Sequence, residues 1–265
     1  MMMLRGYPVL GTLKFNHKFK TRLCSKILSL HQPLFISSPS CNHKDLVFHS
    51  KSSKHNLESP LSGVESVMMD YIFGKKKATE VAHSIWKHVL QKGDAVVDAT
   101  CGNGYDTLAM LNMVADESCS GRVYSIDIQE TALHKTRSLL DGLHDPDKKK
   151  MVKLFATCHS KMEEVVPKGV TVRLVAFNLG YLPGGDKTVI TKSVTTRFAM
   201  EAASRIVASG GLISILVYVG HPGGMEEYET VEAFASRLPV NDWICCKLQM
   251  LNRPLAPILV LLCKR

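Results

Sequence analysis

A short apolar run, Ala95-Val96-Val97, ends in Asp98-Ala-Thr-Cys-Gly-Asn-Gly104, and a helix-like segment follows from near Tyr105. A strand that stops in a glycine-containing turn with a helix behind it makes a nucleotide-sized pocket. Gly102 and Gly104 let the backbone approach a ligand without Cβ atoms in the way, and the helix start points free N–H groups into the same space. What this turn holds decides what the chain does.

A dinucleotide-binding turn carries a third glycine, as Gly-x-Gly-x-x-Gly, for close packing of helix on strand. Thr107 occupies that position, so the dehydrogenase fingerprint is broken. An acidic residue at the strand end followed by Gly-x-Gly suits S-adenosylmethionine, which presents an amino acid and a ribose but no phosphate. The cofactor contacts expected from this turn are Asp98, Thr100, Gly102, Asn103, Gly104, Asp106 and Thr107. One βα unit later, Arg122-Val-Tyr-Ser-Ile-Asp127 reads as a strand ending in a carboxylate, 23 residues after Gly104. That spacing suits Asp127 as the ribose acceptor, with Gln129 beside it. The plainer alternative is that Asp127 caps the helix starting near Gln129.

Strand-like runs cover 95–99, 123–126, 152–156, 172–177, 212–219, 243–248 and 258–263, and helical periodicity covers 79–91, 130–140, 193–207 and 225–237. The last two strands have no helix between them, so they should form an antiparallel hairpin at one sheet edge. The inventory matches an α/β class of Rossmann-like type, the class I S-adenosylmethionine-dependent methyltransferase fold. Its seven-stranded sheet is mostly parallel, with an antiparallel C-terminal hairpin.

Ligands of such sheets sit outside the carboxyl ends of the strands. The third strand ends at His159-Ser160, both expected at the cofactor, with a bond inside the loop as the alternative for His159. The fourth ends in Asn178-Leu-Gly-Tyr-Leu-Pro-Gly-Gly-Asp-Lys187. Asn178-Leu-Gly-Tyr181 resembles the Asn/Asp-Pro-Pro-Tyr tetrapeptide of amine-directed methyltransferases, with Gly180 replacing a proline. In that pattern the amide oxygen and a backbone carbonyl accept hydrogen bonds from the target amine, and the tyrosine supplies a stacking face.

From about residue 82 to 265 the chain is similar to the MnmM-like family, grouped with rRNA-methylase-type proteins, whose bacterial members methylate 5-aminomethyl-2-thiouridine in tRNA. The matching blocks are 93–107, 178–187 and Val219-Gly-His-Pro-Gly-Gly224, of which Tyr181-Leu-Pro-Gly-Gly-Asp-Lys187 is the most distinctive. The resemblance implies methyl transfer to the exocyclic amine of a wobble uridine. A methyl sulfonium is already activated, so the enzyme's tasks are positioning and deprotonation. Asn178, Tyr181, Asp186 and His221 are the expected catalytic residues, Asn178 also contacting the cofactor, with Asp186 receiving the proton directly or through water. Substrate contacts are expected from Tyr181, Pro183, Gly184, Gly185, Lys187 and Arg253. Plainer readings stand beside these: Asp186 and Lys187 flank a helix start, His221 sits exposed in a Gly/Pro turn, and Trp86 and Trp243 are core. His83, on a helix, reads as structural but for its place near the cofactor turn in the family resemblance.

The first sixty-odd residues differ in kind. No acidic residue precedes Asp45, while Arg5, Lys14, Lys18, Lys20, Arg22, Lys26 and Lys44 are present with several serines. This is the composition of an organelle transit peptide. Residues 1–63 hold 9 of the chain's 33 Lys and Arg and 2 of its 24 Asp and Glu, so most of the net +9 belongs to this leader. The expected organisation is a leader, 1–63, and a methyltransferase domain, 64–265, working in the chloroplast stroma, with the mitochondrion as alternative. RNA binding then rests on local patches: Lys75 to Lys77, Lys187, Lys192 and Arg253. Lys148 to Lys150 read as a solvated turn at the amino end of a strand. Such a patch suits a compact tRNA anticodon stem-loop. No apolar run reaches membrane-spanning length, and the 8 cysteines lack metal-site spacing. Neither membrane nor metal is expected, and oligomeric state stays open, with a homodimer as one option. Methylation of another RNA such as rRNA, methylation of a small-molecule amine, and a cofactor-binding scaffold without turnover are the competing functions.

Overall fold

The structure is a computed structural model that describes residues 63–265. The expected leader, 1–63, lies outside the described residues apart from Gly63. The strands are β1 Ala95–Asp98, β2 Arg122–Asp127, β3 Val152–Ala156, β4 Val172–Leu179, β5 Val207–Val217, β6 Trp243–Leu248 and β7 Ile258–Lys264. They form one sheet in the order β3-β2-β1-β4-β5-β7-β6, parallel from β3 to β5 and antiparallel where β7 joins β5 and β6. The helices are α1 Val64–Ile72, α2 Ala78–Val89, α3 Tyr105–Val114, α4 Glu130–Asp141, α5 Pro146–Lys150, α6 Met162–Val165, α7 Ser193–Ile206 and α8 Gly224–Ala235.

Successive strand residues point to opposite faces. Val96, Leu174, Leu212 and Leu259 pack with α1, α2 and α3, while Val97, Val175, Ile213 and Val260 pack with α7 and α8. Because both faces are covered, the central strands read as continuous apolar runs without alternation. The same rule explains the order of the last two strands. The run Ile258–Leu262 is buried throughout and lies inside the sheet, whereas β6, with Cys245, Cys246 and Lys247 exposed, takes the edge. The antiparallel hairpin is present as expected, with its second strand inserted between β5 and the first.

β5 starts five residues earlier than the expected 212. Its register on β4 shifts between the Val172 and Leu174 pairs, and the extra residues bulge outward. Gly210 there adopts φ +74, and a Cβ on Gly211 would come within 2.9 Å of the Arg173 carbonyl. Three helices were not anticipated. α5 does carry a start signal, Asp145 accepting from the Asp147 and Lys148 amides with proline at the first helical position. It places Lys148 to Lys150 on a helical turn paired with Asp141, Asp145 and Asp147, still solvated and at the amino end of β3.

Gly104, φ +86, leads into α3, and a Cβ there would sit 2.9 Å from Thr136 Cα on α4. The missing side chain thus serves close packing of α3 against α4. Gly169 has nearly the same φ, +84, but open space around it. Gly169→Ala should cost about 1 kcal/mol of left-handed strain, and Gly104→Ala roughly 1–3 kcal/mol more from overpacking. Urea unfolding of the two variants checks the difference; equal losses would contradict this packing role.

Candidate active site

The carboxyl ends of β1, β2, β4 and β5 supply the site. Asp98, at the tip of β1, is 2% exposed; its Oδ2 accepts from the Thr107 hydroxyl at 2.6 Å and its Oδ1 from the Thr100 amide at 3.3 Å. Burial, with Asp106 and Asp127 nearby, pushes its pKa up to about 7. Thr107 has no exposed surface and also meets Ser125, so it supports Asp98 from behind and has no face left for a cofactor contact.

Gly102, φ +53, faces the Leu182 side chain and donates its amide to Asp127 Oδ2 at 3.0 Å, while Gln129 donates its amide to Asp127 Oδ1 at 2.9 Å. The plain local role of Asp127 is therefore real: it ties the β1 turn to the start of α4. Each oxygen keeps a further lone pair, so the ribose role is compatible with these bonds.

Asn178, near the end of β4, is held by two bonds. Its amide N–H donates to Thr100 Oγ1 at 2.7 Å, and its side-chain Nδ2 donates to Asp106 Oδ2 at 2.6 Å. The other Asp106 oxygen lies 2.6 Å from His83 Nε2. Only an NH2 group can face a carboxylate, so the amide orientation is determined and Oδ1 points the other way. That oxygen is buried and has no hydrogen-bond partner, as is Asn103 Oδ1. Asn103 Nδ2 donates to the Pro183 carbonyl at 3.2 Å, joining the β1 turn to the loop after β4.

That loop is a closed unit. Tyr181 bridges to Ile190, the Thr191 amide donates to the Gly180 carbonyl, and Leu182-Pro183-Gly184-Gly185 folds as a turn with Gly184 at φ +74. Tyr181 is 40% exposed, stands edge-on to His221 at 6.1 Å between ring centroids, and carries the Lys187 ammonium 5.8 Å over its ring. His221 Nδ1 lies 2.9 Å from the Pro222 carbonyl, a contact that calls for a proton on Nδ1, so in the neutral ring Nε2 is the acceptor; Nε2 is buried and unpartnered. Glu227, fully buried, accepts from the Thr191 and Thr196 hydroxyls and anchors the loop to α7 and α8.

Two expected residues are used differently. Asp186 accepts from both the amide and the hydroxyl of Thr188 at 2.8 Å, bonds that hold its pKa below the usual carboxylate range and make it a turn former and a poor base. His159 is turned inward, 6% exposed and edge-on to Phe177, and burial pushes its pKa down to about 4, so it is a neutral core ring at physiological pH. Arg253 lies in the β6–β7 loop with its guanidinium against Gly74. Ser160 donates to Cys158 Sγ at 3.1 Å.

Residues 123–264 match the family model described as "Putative rRNA methylase". The chain is 61% identical over 218 residues to the chloroplastic tRNA (mnm(5)s(2)U34)-methyltransferase of Arabidopsis thaliana, covering 82% of this chain and 80% of that one. The chain belongs to this methylase family. Among solved structures, an rRNA-methylase-type protein from Clostridium thermocellum shares 34% identity at TM-score 0.66, over 72% of this chain and 98% of that one. A methyltransferase from Streptococcus mutans, solved in complex with SAH, shares 32% identity at TM-score 0.62, over 72% and 99%. The fold of this family is thus the one read from the sequence.

The methylase site fits S-adenosylmethionine by the chemistry of its donor set. The cofactor is a cation at sulfur and at its amino group, and the wall offers acceptors: Asp98, Asp106, Asp127 and the orphaned oxygens of Asn103 and Asn178. His83, on α2, is marked in the sequence only by its place near the cofactor turn in the family resemblance, and its tie to Asp106 exists only through the fold. One site feature escaped sequence reasoning. Tyr218, 39% exposed, follows β5, donates its amide to the Leu179 carbonyl and reaches Thr79 of α2 with its hydroxyl. Among the described residues no helix is long and apolar enough to cross a membrane, and no group of His, Cys, Asp or Glu is placed to hold a metal.

The raised pKa of Asp98 has a defined effect on stability. Between about pH 4 and 7 the unfolded chain loses this proton while the folded protein keeps it, so stability falls as pH rises through that window and the loss is complete above it. Asp98→Asn should therefore gain stability relative to the parent from pH 4 to 7 and hold that gain at higher pH. Urea midpoints of both proteins across this range check it; a difference independent of pH contradicts the assignment.

Proposed function

We propose that the protein transfers a methyl group to the aminomethyl nitrogen of 5-aminomethyl-2-thiouridine, or its 2-oxo counterpart, at the wobble position of tRNA in the chloroplast stroma. The activity and compartment of the Arabidopsis relative support the substrate and the location. One observation carries the chemistry: the buried, unpartnered Oδ1 of Asn178, whose amide is turned by Asp106 so that its acceptor points away from that carboxylate and stays free.

S-adenosylmethionine supplies an activated methyl group when bound, with Gly102, Asn103, Asp127 and Gln129 as its holders. Asn178 Oδ1 accepts a hydrogen bond from the target amine, and the Leu179 carbonyl region orients the nitrogen from the other side. An amine is a nucleophile only when neutral, and withdrawal of the amine from water on entering the site lowers its pKa by disfavouring the charged form. His221 Nε2, the acceptor nitrogen of the neutral ring whose Nδ1–H faces the Pro222 carbonyl, takes the proton released. Tyr181 packs on the uracil face, and Lys187 beside it meets phosphate. Lys75, Lys77 and Arg253 extend the basic surface toward the anticodon stem.

Full-length protein incubated with labelled cofactor and tRNA carrying the aminomethyl nucleoside should convert it to the methylaminomethyl form, read by nucleoside mass spectrometry. Asn178→Ala should lower the rate by roughly 10²–10³-fold while leaving cofactor affinity within a few fold. Methyl transfer to soluble amines with tRNA inert would replace this reading by the small-molecule one. Rapid labelling of rRNA instead would move the substrate to that RNA.

A further inference from the structure

We infer that His83 is a positioning residue for methyl transfer: acting through Asp106, it fixes the orientation of the Asn178 amide that receives the amine. The inference rests on the proposed role of Asn178 and adds to it a residue from α2, ahead of the 123–264 segment that the family model covers. Both Asp106 bonds measure 2.6 Å, one to His83 Nε2 and one to Asn178 Nδ2, and the carboxylate is only 13% exposed. Bonds of this length to a sheltered carboxylate are of the strong, charge-assisted kind.

The geometry assigns each member a task. An asparagine amide turns end for end at little cost, and an inverted Asn178 would donate N–H to the lone pair of the incoming amine and so tie up the electrons that must attack the methyl group. Asp106 forbids that inversion, because its oxygen cannot face the amide oxygen. Asp106 is itself free to rotate about its last bond unless its second oxygen is held, and His83 holds it. His83 is in turn located by its ring against Trp86, 4.7 Å between centroids. The carboxylate also polarises the amide, drawing positive charge to Nδ2 and leaving Oδ1 a better acceptor.

Two substitutions separate donor from packing. His83→Gln keeps a side-chain N–H for Asp106 but loses the ring; His83→Phe keeps the ring on Trp86 but loses the donor. His83→Ala, which deletes the donor without adding bulk, takes the place of the Phe variant if that one does not fold. In full-length protein, the side-chain amide resonance of Asn178, assigned by its disappearance in Asn178→Ala, should stay near its parental position in the Gln variant and move in the Phe variant. With aminomethyl-uridine tRNA, the Phe variant should lose roughly ten- to a hundredfold in kcat with cofactor affinity unchanged, as misplacement of a reacting group does, and the Gln variant should recover most of it. Equal losses in both, no loss in the Phe variant, or losses that track the melting temperature would overturn the role. Should the parent protein fail to methylate tRNA, the substrate assignment falls, while the amide resonance still decides whether His83 orients Asn178.

Discussion

A carboxylate with almost no contact with solvent closes the first strand, and the site is arranged around it. Asp98 would be costly as a buried anion, so it is paired with the Thr107 hydroxyl and the Thr100 amide and keeps a proton to unusually high pH. Those bonds lock the β1 turn to the first turn of α3. Thr100 then receives the Asn178 amide, and Asp106, one residue before Thr107, receives the Asn178 side chain. The position of the proposed amine acceptor thus descends, bond by bond, from the way one buried acid is accommodated.

The loop after β4 is built on a different principle. It reaches away from the sheet edge and needs anchors of its own. Its ends meet at the Gly180–Thr191 bond, its tip turns at Pro183-Gly184, and Glu227 pins its base to two helices. Asn103 holds it to the β1 turn across 80 residues of sequence. The result places Tyr181, His221 and Lys187 together as one aromatic and basic rim beside Asn178. A compact rim of this kind suits a single extruded base better than an extended duplex, which agrees with the small charge excess of the chain outside its first 63 residues.

Much of this was legible because strong local signals coincide. The turn at 98–104 follows a buried strand and precedes a helix, the carboxylate at 127 arrives one βα unit later, and the last two strands are too close in sequence for a crossover helix. α1 lacked such a signal, and it exposes Met69 and Ile72 where a core-facing helix would show polar residues. Glycine roles were only partly readable: both glycines of the turn have positive φ, but Gly104 is required by Thr136, a residue 32 positions later. Asp186 and His159 show the same limit, since a motif marks a residue type without saying whether its polar atoms are spent on a neighbouring turn or turned into the core.

Sequence by itself determined the class of fold, the strand tips that face the cofactor, and the pairing of Gly-x-Gly with a downstream acid, because hydrophobic period and turn chemistry are local properties. Tertiary structure alone decided which acceptors are left without partners. His83, Asp106 and Asn178 come from a helix, a helix start and a strand end separated by 23 and 72 residues, and their bonds exist only once the sheet has formed. A free lone pair is what remains after every other contact has been made, so it is set by the whole packing and written in no short stretch of the chain.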